Sequence, residues 1–498
     1  MNILALQLVN PDVNLWLILP ELVICIAGVV VMLVDAFAKP TQRWITGSIS
    51  IAGLIAAAGS SSWLCLSWRG ATEAFNGMIV LDELRLGFTF VFLVVSGLTI
   101  LVSMVWVENE RLPAGEFHAL LMFATAGMMF MASAGDLVMV FLGLEILSIA
   151  TYVMCGFRRT DVRSNESSMK YFTLGSFSSA FLLYGIALIY GATSTAAGLP
   201  GTTNIAKIAI RLPDAQYPLL LFAGAALMLV GFGFKIATAP FHVWTPDVYE
   251  GAPTPVTAFF ASAPKVAAVL LSTRVCLDAL APATEAWRQI VIFAALASIF
   301  LGAVAAYGQN NIKRLLAYSS INNVGFVLIG LAGAGVAGAS SVLFYMAVYV
   351  TMTLGAFLCV LWMRGADGEP IEEISSLSGL SQSRPGFAAA LAVFMFSLAG
   401  IPPFFGFWAK LVVFNAAVKA GLLPLAVAGI LGTVVGAYYY LKIVKVMYMD
   451  EPGAPYSRVR EPVQGVLILI AAIAVSPLGY LLIGPLGTLS DMAAGSIF

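Results

Sequence analysis

Charge is scarce in this sequence. Of 498 residues, 25 are Lys or Arg and 26 are Asp or Glu, so 10% are charged, against roughly 25% in a soluble domain. The formal net charge of −1 argues against the basic surface of a nucleic-acid binder, and no nucleic-acid partner is expected. His118 and His242 are the only histidines, which leaves a zinc or haem site almost no imidazole to use. Cys25, Cys65, Cys155, Cys276 and Cys359 each stand alone in an apolar stretch, with no Cys-x-x-Cys. That spacing argues against iron–sulfur ligation, structural zinc and a disulfide framework, so no metal site is expected. Gly231-Phe-Gly233 lies inside an apolar run with no strand before it, and is no dinucleotide fingerprint.

What is present is apolar. Hydrophobic residues make up 60% and the mean hydropathy is +0.95, too little polarity to cover a water-soluble globule. The expected class is an all-α integral membrane protein. Apolar runs of about 18 residues or more read as membrane helices, and fourteen are counted, centred near residues 27, 56, 96, 124, 147, 181, 230, 268, 297, 322, 351, 402, 435 and 473. The first run, Trp16 to Ala38, is too long for a signal-peptide core and lacks a basic leader and a small-residue cleavage site, so it is expected to be a retained span.

Lys and Arg in the connections set the orientation. After odd-numbered spans come Lys39, Arg43, Arg111, Arg158, Arg159, Arg163, Lys313, Arg314, Arg364, Arg384, Lys442, Lys445, Arg458 and Arg460, fourteen in all. After even-numbered spans come seven: Arg69, Arg85, Lys207, Arg211, Arg274, Arg288 and Lys419. The bias puts the first group in the cytoplasm and both termini on the opposite side. The other four basic residues, Lys170, Lys235, Lys265 and Lys410, fall within predicted spans.

A charge at the centre of a membrane helix costs about 2.5–3.5 kcal/mol on insertion scales, so each one is a functional candidate. Glu145 lies nine residues after Asp136 and thirteen before Arg158, near mid-depth. Lys235 precedes Pro240, Lys265 follows Pro264 directly, and Lys410 comes seven residues after Pro403. Proline has no amide donor, so Pro240 and Pro264 each free the carbonyl four residues earlier, and broken helix is tolerated only where it lines protein or a wet cavity. For each lysine the plainer reading is a stem that reaches to the interface. Lys170 opens the sixth span four residues after Glu166, the favoured order for a helical ion pair; an end-of-helix pair and a functional role both stay open. His242 is seven residues after Lys235 and would share its face if the helix ran through Pro240; a hydrogen-bonded structural histidine is the alternative.

The interrupted seventh and twelfth spans are five apart, and paired broken helices in two halves point to a transport site. The expected organisation is an N-terminal three-helix segment (1–116), two inverted five-helix repeats (117–281, spans four to eight, and 282–449, spans nine to thirteen) and a C-terminal helix (450–498). Counted from the starts of spans four and nine, at 117 and 287, Lys235 is position 119 and Lys410 position 124. A lysine out of water holds its proton less tightly, and a nearby carboxylate restores its hold. Moving that neighbour makes the lysine release or regain a proton. Sodium would favour carboxylates and carbonyls, so a row of Lys and Glu along the midplane points to protons.

Three stretches carry a resemblance over essentially the whole chain. Phe241-His-Val-Trp-Thr-Pro-Asp-Val-Tyr-Glu-Gly-Ala-Pro253, flanked by Gly233-Phe-Lys235 and Ala263-Pro-Lys265, is similar to the proton-translocating antiporter-like membrane subunits of respiratory complex I. So are Gln309-Asn-Asn-Ile-Lys-Arg-Leu-Leu-Ala-Tyr-Ser-Ser-Ile321 and Ala399 to Lys410. Lys rather than Glu at 410, fourteen spans and a chain that ends soon after the last set it apart from subunits L and M. The resemblance implies that Glu145 pairs with Lys235, that Lys265 joins two half-channels, that Lys410 lies nearest proton release, and that Lys170 matches a sixth-helix lysine. Many relatives have His at the position of Asn323, which can bond water but does not titrate near pH 7.

The resemblance also implies a bacterial inner membrane, or a mitochondrial one if the chain is organellar, with both termini periplasmic. Its partners would be the lipid bilayer, membrane subunits M, K, J and L and, through them, a peripheral arm. FMN, iron–sulfur clusters, NADH and quinone would all belong to partner subunits, with no cofactor in this chain. A Mrp-type sodium/proton antiporter subunit shares these lysines, a self-contained secondary transporter predicts solute uptake by the chain alone, and a structural anchor leaves the buried lysines unexplained.

Overall fold

A bilayer offers the backbone no water, so each crossing must close its own hydrogen bonds as helix. The computed structural model describes residues 13–38, 42–67, 72–194, 200–215, 217–365, 368–453 and 461–498. Lys39, Arg69, Arg458 and Arg460 of the orientation count lie outside these residues. The order is α1 (Leu19–Phe37), α2 (Trp44–Ser67), a hairpin of β1 (Thr72–Ala74) and β2 (Ile79–Leu81), α3 (Glu83–Asn109), α4 (Ala114–Ala132), α5 (Leu137–Cys155) and α6 (Val162–Ala192). Then come α7 (Ile205–Arg211), α8 (Pro218–Ile236), α9 (Trp244–Gly251), α10 (Thr254–Phe260), α11 (Ala263–Arg274), α12 (Thr284–Tyr307), α13 (Ile312–Gly333) and α14 (Gly335–Trp362). The chain closes with α15 (Leu380–Ser383), α16 (Pro385–Ala399), α17 (Phe405–Lys419), α18 (Leu423–Met449), α19 (Pro462–Val475) and α20 (Ile483–Gly495).

Among the described residues, 12 segments are long and apolar enough to cross a membrane, and α19 with the bent continuation through α20, turned by 65°, makes a thirteenth. The expected twelfth span is split into α16 and α17, 15 residues each; taken as one broken span they bring the total to the fourteen read from the sequence. The antiparallel hairpin, pairing Thr72 with Leu81, is an addition to the all-helical expectation.

Helix starts follow local chemistry. Asp82, Asp136 and Asp161 cap α3, α5 and α6 by accepting from the amides of Arg85, Val138 and Arg163, and Asn311 caps α13 by accepting from two amides. The breaks follow from proline. Helices α8, α10 and α16 stop at Ile236, Phe260 and Ala399, each four residues before Pro240, Pro264 and Pro403, where the missing amide leaves a carbonyl without its helical donor.

The centre lies around α11, α13 and α14. Every residue of the apolar window through α10 and α11 is buried and 94% of that in α13, against 28% in α2. Helices α4 and α5 approach closely through Gly127 and Gly143: a Cβ on Gly127 would lie 2.6 Å from the Leu147 amide nitrogen, and one on Gly143 2.9 Å from that of Met131. Helices α12 and α13 meet in the same manner through Gly302 and Gly325, where a Cβ would lie 2.8 Å from the Asn322 nitrogen and 2.7 Å from the Ala295 oxygen. Small residues let membrane helices pack backbone to backbone.

Two arginines counted as connection charges are inside the protein. The Arg85 guanidinium donates to Glu21 (2.8 Å) and to the Leu17 carbonyl (2.6 Å), joining α3 to α1. Arg274, at the end of α11, donates to Asp82 (2.6 Å). All four side chains are buried, so this cluster ties three spans together and says nothing about orientation.

Candidate functional site

The breaks deliver charged side chains to the middle of the bundle. Glu145 is the ninth of 19 residues in α5, partly buried, and its carboxylate accepts from the Ser179 hydroxyl of α6. Lys235, in the last turn of α8, donates to Ser148 Oγ (2.6 Å) and Tyr152 OH (3.0 Å). Ser148 and Tyr152 follow Glu145 by three and seven residues, so carboxylate and ammonium lie along one face of α5. No ion pair within 4 Å joins them among the described residues; the carboxylate is held by Ser179 and the ammonium by the two α5 hydroxyls. The ammonium is also 5.0 Å from the Tyr152 ring centroid and 5.7 Å from that of Tyr171, an attraction worth up to about 2 kcal/mol when desolvated.

Lys235 and Lys265 line one cavity of about 20 Å³, closed by Ser148, Tyr171, Trp244 and Pro264. A water needs roughly 10–15 Å³ measured this way, so one fits in the space that both lysines line. Lys265 is 2% exposed and donates to Ser320 Oγ on α13. Ser320 shares a 2.7 Å hydrogen bond with Tyr349 OH of α14. One turn along each helix, Tyr345 donates to Asn323 Oδ1 (2.6 Å), and Asn323 Nδ2 in turn donates to Tyr440 OH of α18 (3.2 Å). Tyr440 shares a 2.5 Å bond with Ser319. Further along α13, the Phe326 ring centroid lies 4.5 Å from the Lys410 ammonium.

Lys410 is 4% exposed and has no carboxylate partner among the described residues. It donates to the carbonyls of Leu398 (3.1 Å) and Ala399 (3.0 Å). Ala399 is the carbonyl freed by Pro403, so the break makes the lysine's acceptor. The chain turns here at Gly400, with φ of +78°, and a Cβ on that residue would lie 2.8 Å from Lys410 Cδ.

The two breaks do not hold their lysines alike, which corrects the near-match in offset. Both first half-helices end on a left-handed residue, Ala237 and Gly400, three residues before a proline. Lys235 lies before its cap. Lys410 lies ten residues after its own, and the residue ten after Ala237 is Asp247. His242 is corrected too: α8 ends at Ile236, so no continuous helix gives it a face shared with Lys235. Its Nδ1 is buried, with no hydrogen-bond partner among the described residues.

Lys170 belongs to a different cluster. It pairs with Glu166 and Asp247 at 2.7 Å each, and Arg314 pairs with Asp247 and Glu250 at 2.8 Å each. These residues line an open cavity of about 240 Å³. Next to it, Lys313, read from the sequence as a loop charge, is 2% exposed and spends three N–H bonds on the carbonyls of Glu250 and Ala252 and the carboxylate of Glu372.

The hydroxyl and amide groups between the lysines are uncharged and so do not stand out among membrane-buried charges. One signal was available: Tyr318-Ser-Ser-Ile-Asn-Asn323 is a polar run in an otherwise apolar span.

The comparisons agree with this architecture. The family described as NADH:quinone oxidoreductase/Mrp antiporter, TM matches residues 134–436. The chain is 49% identical over 489 residues to an NADH-quinone oxidoreductase subunit N of Rhizorhabdus wittichii, covering 97% of this chain and 99% of that one. It is 46% identical to that of Erythrobacter litoralis, over 98% of this chain and 99% of the other. Among solved structures it is similar to a chain of respiratory complex I from Thermus thermophilus, with a TM-score of 0.78 and 30% identity over 94% of this chain and 98% of that one. A chain of the Mrp complex from Dietzia shares the fold, with a TM-score of 0.81 at 22% identity over 97% of this chain and 98% of that one.

Proposed function

The chain belongs to the subunit N family of NADH-quinone oxidoreductases, within the wider NADH:quinone oxidoreductase and Mrp antiporter membrane group, and from this we propose how its buried charges move protons. It is a membrane-arm subunit of proton-translocating complex I and a multi-pass protein of the inner membrane.

In our reading Glu145 sets the charge state of Lys235 across Ser148 and Tyr152, and Lys235 exchanges a proton with Lys265 through the water-sized cavity between them. Lys265 passes it along the Ser320 and Tyr349 hydroxyls toward those of Tyr345 and Tyr440 and so toward Lys410, while the Asn323 amide holds Tyr345 and Tyr440 in place and does not itself carry the proton. A hydroxyl relays without net change, accepting a hydrogen on one side while it gives up its own on the other. Lys170 and His242 lie off this line: Lys170 acts in the charged cluster at the end of α6. The observation that carries the reading is that Lys235 and Lys265 line the same cavity while Lys265 is hydrogen-bonded into α13.

The proposal extends to the surroundings. Residues 117–281 and 282–449 form two inverted repeats, a division supported by the matching glycine approaches and proline breaks. Both termini face the periplasm. Flavin, iron–sulfur clusters and the NADH and quinone sites belong to partner subunits, and membrane subunits M, K, J and L are the neighbours. Affinity purification through a tag on this chain is expected to bring down a coloured complex with NADH:quinone activity. A colourless complex that exchanges sodium for protons would instead establish the Mrp reading.

Two glycines separate backbone strain from damage to Lys410. Gly400 and Gly421 both have φ of +78°, but a Cβ on Gly421 meets nothing within 4 Å. Each Ala substitution costs about 1–2 kcal/mol of left-handed strain. Gly400→Ala alone also pushes on Lys410, so it is expected to lower proton pumping by about threefold or more, while Gly421→Ala pumps as the native complex. Equal pumping by the two would remove Lys410 from the relay.

A further inference from the structure

Helix α6 packs against both helices that carry the first charged pair. It meets α5 where a Cβ on Gly175 would overlap the Tyr152 hydroxyl oxygen and where Ser168 Oγ donates to the Tyr152 carbonyl at 2.8 Å. It meets α8 where a Cβ on Gly185 would lie 2.8 Å from the Met228 nitrogen, and one on Gly231 2.7 Å from Leu182 Cβ. Approaches this close leave the α6 backbone little room to shift. Ser179 is four residues after Gly175 and so on the same face. It is buried, and its hydroxyl donates to Glu145.

The Glu145 carboxylate has a second place to go. Ser148 is three residues further along α5, with Cβ atoms about 5–6 Å apart at that spacing, and the Lys235 ammonium is 2.6 Å from Ser148 Oγ. A glutamate side chain turned along α5 therefore reaches the ammonium. In this structure it is turned instead to α6, onto Ser179. A serine hydroxyl moves about one side-chain bond and a glutamate carboxylate about three, so the holder is fixed and the held group swings. The neighbouring Ser178 faces the other way, with Oγ 3.5 Å from the Gly231 carbonyl oxygen of α8, at the outer limit of a hydrogen bond.

We propose that Ser179 is a positioning residue, a latch that holds Glu145 in the arrangement turned away from Lys235, so that the carboxylate alternates between a fixed hydroxyl on α6 and the ammonium on α8. A lysine with a carboxylate against it keeps its proton. The latch therefore favours the arrangement in which Lys235 gives its proton to the next group. At the latch itself no covalent bond changes; one O–H···O hydrogen bond is exchanged for one N–H···O. The balance between the two arrangements moves only by the difference in what each offers the carboxylate, and the Ser179 hydroxyl is the α6 side of that difference. This regulation deepens the relay reading and rests on it.

The test uses the whole complex in membrane vesicles, with proton pumping and NADH oxidation followed together. Ser179→Ala should lower the pumping rate about threefold or more, a factor within what a hydrogen bond to a charged group supplies. Ser179→Thr, which keeps a hydroxyl, should restore most of it, and Ser178→Ala should pump as the native complex. Adding Ser179→Ala to Glu145→Gln should cost nothing further, because a residue that acts only through another is not additive with it. A double variant worse than Glu145→Gln by the whole Ser179→Ala factor would assign Ser179 to packing and overturn the latch. So would equal losses from Ser178→Ala and Ser179→Ala. Native pumping by Ser179→Ala, beside a Glu145→Gln variant that has lost pumping, would overturn the latch and leave the relay standing. Native pumping by Glu145→Gln would overturn the latch together with the role of Glu145 in the relay.

Discussion

Replacing Lys265 with Ala is expected to cut proton translocation per NADH by about tenfold or more in the assembled complex. A positioned acid–base group contributes typically 10²–10⁴ in rate, and Lys265 both lines the Lys235 cavity and is bonded to Ser320 of α13. The complex should still assemble. Lys265 has no carboxylate partner among the described residues, so its removal strands no opposite charge, and Ser320 keeps its bond to Tyr349. Quenching of a pH-sensitive dye in inverted vesicles, with NADH oxidation followed in parallel, reads both quantities. An unchanged proton-to-electron ratio would sink the relay.

The second large effect concerns assembly. Arg85→Ala should destabilise the protein by about 3–5 kcal/mol, the usual cost of stranding a buried charge. Glu21 is 0% exposed, and one of its carboxylate oxygens already has no partner among the described residues. The same change takes a donor from the Leu17 carbonyl and loosens α3 against α1. Pairing it with Glu21→Leu should recover most of the loss, because two apolar groups can replace a buried ion pair at little cost. The thermal inactivation temperature and yield of the complex would measure this. A double variant no better than Arg85→Ala would mean that the arginine acts through the carbonyls of Leu17 and Val80 alone.

Fold and site were legible in the sequence to different depths. Spans could be read because a bilayer selects for run length, and the breaks at Ile236, Phe260 and Ala399 because proline's missing amide acts four residues away. The two small strands were not legible, since three-residue segments between apolar runs carry no periodicity. Arg85, Arg274 and Lys313 looked like loop charges because they lie near helix ends; only the packing of distant spans covers them. The proposed relay is legible in the sequence at its charged positions and not between them. Ser148, Tyr152, Ser320 and Tyr349 are ordinary residues for a membrane helix, and what makes them a connection is the meeting of α5 with α8 and of α11 with α13 and α14.

Lys410 and the end of α16 imply an asymmetry between the halves. A helix of aligned peptide groups presents about half a unit of negative charge at its C-terminal end, and Lys410 is bonded to the last carbonyls there. Its counter-ion is therefore made of backbone. Such a counter-ion cannot be neutralised by picking up a proton, and it cannot swing on a flexible side chain as the Glu145 carboxylate can. On the proposed reading, the first half can be switched by one rotating carboxylate. The second can be switched only by a change in the separation of two rigid half-helices, so its control is mechanical where the first half's is chemical.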